Sequence, residues 1–193
     1  MASDDDQAKV AVLSVLLLPT VFSMKPFKVN NHEFKPADLF AISTAIATDK
    51  IHVKFDASVA GHAEYDTGTN TFHVAFTTAT SVTRKALVVH EATHAMCDVK
   101  NASTMDIGES ESMAYIAQCQ FGRLLKTDPD PDVRLFDTPA DKDKVFEVGW
   151  GIAGTLLGGG LPGAADITSM RNAVNIHPNY KNKVANKAGY NGL

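Results

Sequence analysis

Residues 88–95 read Val-Val-His-Glu-Ala-Thr-His-Ala, an H-E-x-x-H motif inside a run of helical periodicity. A helix turns about 100° per residue, so His90 and His94 stand one above the other, close enough for both imidazoles to bind one tetrahedral Zn²⁺. Glu91 flanks them, placed to take a proton from metal-bound water. Val88, Ala92, Ala95 and Val99 recur at helical spacing and give residues 81–99 a separate apolar stripe. Such a helix buries one side and presents Leu87, His90, His94 and Asp98 on another. Ser81 or Thr83 supplies the start signal.

A site of this kind needs a third protein ligand, and the segment after the motif offers Glu109 and Glu111. Glu111 is the better placed. If residues 109–124 are helical, Ala114, Tyr115, Gln118 and Gly122 continue its stripe with small residues that allow close approach to the first helix. Glu109 points about 200° away and suits the positive end of the helix dipole. The intervening residues 100–108, with Asn101, Ser103, Thr104 and Gly108, read as a turn that folds the second helix back.

His90-Glu91-Ala92-Thr93-His94 followed by Glu111-Ser112-Met113-Ala114 resembles the zincin metallopeptidases, in the gluzincin pattern. There a glutamate from a following helix joins the two histidines. The resemblance covers roughly residues 50–125. The metzincin variant needs a third histidine near residue 100, where this chain has Lys100 and Asn101. What the resemblance implies is an α+β, zincin-like fold, mostly helical, with a small antiparallel or mixed sheet beside the active-site helix.

Strand-like runs precede the motif. Ile51–Phe55 alternates; His62–Tyr65 and Thr71–Phe76 flank the turn-rich link Asp66-Thr67-Gly68-Thr69-Asn70 as hairpin strands do. By resemblance one strand borders the cleft, and an exposed edge pairs with an extended peptide through main-chain hydrogen bonds. The expected substrate is therefore a peptide or protein. Bound zinc acidifies its water and polarises the scissile carbonyl, with Glu91 as general base. Ligand histidines donate their second ring N–H to an orienting partner, for which Asp98, one turn beyond His94, is a candidate. Tyr115, Arg171, His177 and Tyr180 are available to stabilise a developing oxyanion.

Other features exclude more than they suggest. His32, His52, His62 and His73 lack short ligand spacing and read as structural, although His62 and His73 can approach across the hairpin. Gly158-Gly159-Gly160 lacks the Lys-Ser/Thr of a phosphate loop and reads as a connection. A net charge of −4 without a basic cluster argues against a nucleic-acid partner. Cys97 and Cys119, in the two site helices and possible neighbours there, are expected to be reduced and buried.

Val10–Leu18 is apolar but follows Asp4-Asp5-Asp6 and meets Pro19, so a buried helix is expected rather than a signal peptide or membrane span. Ile152–Ala165, broken by glycines and Pro162, is likewise not expected to cross a bilayer. Pro36–Asp49, 142–157 and 164–176 are further helix candidates, and Lys126–Asp143, with three prolines, reads as a loop over the cleft.

With 193 residues and 45% apolar content, one domain spanning 1–193 is expected. The leading expectation is a zinc peptidase with His90, His94 and Glu111 as ligands, cytoplasmic or exported without a signal peptide; the sequence sets no oligomeric state. Two other readings keep the scaffold. One is a delivered effector or toxin; the other is a noncatalytic interaction domain with a structural metal.

Overall fold

A serine ahead of three aspartates opens the first helix. Ser3 Oγ accepts the Asp6 amide and the Asp6 carboxylate takes the Ser3 amide, a reciprocal cap on α1 (Asp4–Leu16). The structure is a computed structural model, describing residues 2–59, 63–125 and 140–192, the side chains at 140–143 excepted. Pro19 starts α2 (Pro19–Ser23), and a hairpin of β1 (Phe27–Val29) and β2 (His32–Phe34) leads into α3 (Pro36–Ala47). Then β3 (His52–Phe55), β4 (Ala63–Asp66) and β5 (Thr71–Val74) form a sheet ordered β3-β5-β4. Strand β3 runs parallel to β5 and β4 antiparallel to it, which leaves β4 at an edge. Four helices follow: α4 (Val82–Val99), α5 (Ile107–Leu125), α6 (Ala140–Leu157) and α7 (Ala164–Ile176). The architecture is α+β, mostly helical with small sheets.

Two helix ends determine how α4 meets α5. Helix α4 begins at Ser81, whose Oγ accepts the Arg84 amide, and stops at Asn101 in the left-handed region at φ 51°. There the Asn101 amide bonds to Asp98 O at 2.7 Å and the Ala102 amide to Cys97 O at 3.0 Å, a Schellman termination. Helix α5 would begin with unpaired amides. The segment after α7 supplies their acceptors: Ile107 N bonds to Asn186 O at 2.8 Å and Gly108 N to Val184 O at 2.9 Å. Gly108 allows this approach, since a Cβ there would stand 3.1 Å from Val184 Cβ. Asp106 and Glu109 complete the cap by exchanging amide-to-carboxylate bonds.

The core runs continuously from α1 to α7, with Phe34, Phe72, Phe121, Leu39, Met96 and Met113 among its fully buried side chains. Helix α5 lies between α4 and α6, which explains why it is buried on nearly every side. Gly149 of α6 makes the α5–α6 contact close: a Cβ there would meet Cys119 Sγ at 2.9 Å.

Several sequence expectations need adjustment. The Val10–Leu18 helix is not buried throughout; α1 covers Ala8, Val12, Val15 and Leu16 while Val10 is 65% exposed. By length and composition alone Asp4–Ser23 is apolar enough to cross a bilayer, yet α1 lays its inner face on β3 and α3. Helix α3 ends before Asp49, which takes φ 56°. The first hairpin, turning at Asn30 with φ 51°, was not foreseen. Residues 126–139 of the anticipated loop, and His62, lie outside the described residues, while 140–143 belong to α6.

Candidate metal centre

Helices α4 and α5 bring His90, His94 and Glu111 to one point. His90 Nε2 lies 3.2 Å from His94 Nε2 and 3.4 Å from Glu111 Oε2, and His94 Nε2 lies 3.6 Å from Glu111 Oε1. This is the one cluster of three or more His, Cys, Asp or Glu side chains among the described residues whose donor atoms converge to hold a metal ion. Glu111 Oε2 is buried without a hydrogen-bond partner. A buried carboxylate oxygen left in that state is costly unless a cation completes it.

The partners of the imidazoles bear on the same question. His90 Nδ1 is 2.8 Å from Gln118 Oε1, which can only accept, so Nδ1 carries the hydrogen and Nε2 is the nitrogen turned to the cluster. The Tyr115 ring stands edge-on to His90 at 4.7 Å and holds its plane. His94 Nδ1 is 2.9 Å from both Ser110 Oγ and Tyr190 Oη. Burial drops His94 to a pKa of about 4 against the pull of Glu111, so it is neutral at neutral pH. Burial pushes the Glu111 carboxyl up, but the neighbouring His94 and His90 outweigh it and hold its pKa below the usual glutamate value.

Glu91 is buried, and its Oε2 accepts the Tyr65 amide of β4 at 2.9 Å. Burial pushes its pKa up to about 7; His90 and the Tyr65 amide oppose the shift, and Glu111 adds to it. Glu91 lines a cleft of about 480 Å³ together with His90, His94 and Glu111. Ala63, Glu64, Tyr65 and Thr67 form one wall, Asn179, Tyr180 and Lys183 another. In the β4–β5 register Tyr65 faces Phe72. Because the Tyr65 amide goes to Glu91, this pair is not bonded across the ladder, and the main-chain groups of Ala63 and Tyr65 point out of the sheet beside the cleft.

Other residues singled out in the sequence have separate roles. Asp98 does not reach an imidazole. It is fully buried and accepts Tyr65 Oη at 3.0 Å and the amides of Asn191 and Gly192 at 2.9 and 3.2 Å. Arg171 pairs with Asp106 at 2.6 Å and Glu109 at 4.0 Å and does not line the cleft. Tyr180 lines the cleft together with Glu111, its ring 6.4 Å from that of Tyr115. His177 sits behind, its ring 4.9 Å from that of Tyr180. Cys97 and Cys119 are free and buried but not paired: Cys97 Sγ faces Met113 Sδ at 3.8 Å, and Cys119 abuts α6. His32 approaches Glu109, and His73 lies opposite Glu64 across the ladder.

Ser110 and Tyr190 escaped sequence reading. Ser110 neighbours Glu111 but carries no motif, and Tyr190 lies 96 positions from His94. Comparison with known proteins returns no matching family model, no curated relative and no similar solved structure.

Proposed function

We propose that this chain is a zinc-dependent metallopeptidase with a gluzincin-like fold. The observation that carries the reading is the convergence of three donors in a cleft that also holds Glu91. Ligands bound to zinc at about 2.0–2.1 Å in a tetrahedral array stand about 3.3–3.4 Å apart. The separations here are 3.2, 3.4 and 3.6 Å. The two imidazole Nε2 atoms turned to one point and the buried, unpartnered oxygen of Glu111 fit a divalent cation. Three protein ligands facing an open cleft also fit a catalytic site better than a structural one, which is closed by four.

Zinc in this position would supply a Lewis acid and lower the pKa of water. Glu91, with a pKa of about 7, suits a general base at neutral pH. It would take the proton of the attacking water and deliver it to the leaving amine. The outward groups of Ala63 and the Tyr65 carbonyl, the Tyr65 amide being held by Glu91, would pair with the backbone of an extended peptide, which makes peptides the favoured substrate class. Tyr180, with its hydroxyl near Glu111, is the best placed of the tyrosines to donate to a developing oxyanion.

The test is a peptide-library digestion by zinc-loaded protein, with product masses read directly. Cleavage that disappears with a chelator and returns with zinc supports the proposal. A zinc-loaded protein that cleaves no member of a diverse library counts against it.

A further inference from the structure

We infer that Tyr190 is a positioning residue for the metal centre: its hydroxyl, acting with that of Ser110, fixes the ring of His94 so that Nε2 faces His90 and Glu111. The inference rests on the reading of these three residues as metal ligands. For Nε2 to offer its lone pair, Nδ1 must carry the hydrogen, and a partner must receive it. His90 has the Gln118 amide oxygen for this. His94 has the two hydroxyls, each 2.9 Å from Nδ1 and bonded to one another. The hydroxyls belong to elements far apart in sequence, so their meeting at one ring nitrogen has to be built.

The chain builds it with a strap, residues 186–192. Ala188 N bonds to Met105 O at 3.1 Å, Lys187 Nζ to Thr104 O at 2.7 Å and Asn191 Nδ2 to Thr67 O at 3.2 Å. Gly189 and Gly192 bracket Tyr190, both at φ 85°, a backbone region closed to most side chains. Beyond Tyr190 the Asn191 and Gly192 amides bond to Asp98, one helical turn from His94 on the same face of α4. The strap is therefore fastened beside the ring that it orients. Tyr190 is only 5% exposed, and a phenylalanine would fill the same space. What phenylalanine lacks is the oxygen at His94.

The experiment uses cobalt(II) as the probe on the full chain, with Tyr190→Phe, Ser110→Ala and the double variant. Affinity is read by chelator competition, ligand geometry by the visible spectrum of the cobalt form, and folding by thermal unfolding of the metal-free proteins. Expected are a roughly 10–100-fold weaker affinity in Tyr190→Phe, an altered cobalt spectrum and a non-additive double variant, because both hydroxyls serve one nitrogen. If Tyr190→Phe does not fold, Ser110→Ala reads the same contact. Wild-type affinity and spectrum in the variants would overturn the positioning role and leave the metal site intact. Weakened affinity with an unchanged spectrum and a matching loss of metal-free stability would mark a purely structural tyrosine and overturn it too. Failure of the wild type to bind cobalt would overturn the ligand assignment, and this inference with it.

Discussion

Glu91 Oε2 accepts the backbone N–H of Tyr65 at 2.9 Å, which ties the motif helix α4 to the edge strand β4 across the cleft. A glutamine at 91 can still accept that amide through its carbonyl oxygen but cannot take a proton. Glu91→Gln is therefore expected to keep the metal and lose roughly 10²–10⁴-fold in turnover. Metal content and peptide cleavage measured on one preparation check both halves. Wild-type turnover in the variant would remove Glu91 as the base.

In the proposed metal centre Glu111 would contribute the charge of the ligand set. Glu111→Gln preserves shape while exchanging one anionic oxygen for an N–H that would face two imidazole nitrogens. The expected loss of zinc affinity exceeds the roughly 10–100-fold typical of a missing outer partner. Chelator competition reads it, and unchanged affinity would mean that Glu111 is not a ligand.

Asp98 holds three donors in a fully buried position, among them the Tyr65 hydroxyl and two strap amides. Removing the carboxylate strands all three. Asp98→Ala should lower stability by about 3 kcal/mol or more, with Tyr65→Phe costing about 1–2 kcal/mol. Urea unfolding of the metal-free proteins measures both, and a loss under 1 kcal/mol in Asp98→Ala would contradict the anchoring role.

How much of this was legible depended on the range of the signal. The helix around His90 could be read because its periodicity, its Ser81 cap and the motif agree within one segment. Glu111 could be chosen over Glu109 because helical phase separates two residues that lie side by side in sequence. Asp98 was misjudged for the same reason: phase puts it on the face of His94, but nothing local reveals that residues 191 and 192 arrive to claim it. Tyr190 and Ser110 meet only after α5 folds back and the strap crosses its start, a long-range event with no periodic trace. The extended strand runs were found, yet the parallel pairing of β3 with β5 depends on a crossover that alternation does not encode.

Gly149 tests the packing behind the site. Alanine there gains helix propensity of about 1 kcal/mol but sets a Cβ 2.9 Å from Cys119 Sγ. Overpacking of a filled core costs about 1–3 kcal/mol, so the net effect of Gly149→Ala is expected to be destabilising. Adding Cys119→Ala should restore part of the loss. Thermal unfolding of both singles and the double measures the coupling, and strictly additive effects would argue against a close α5–α6 contact.

Metal content measured by elemental analysis on purified wild type and His94→Ala, each reconstituted with zinc and desalted, bears most directly on the centre itself. The account requires one zinc per chain in the wild type and loss of that zinc in the variant. A wild type that retains no zinc, or a variant that retains as much, would contradict it.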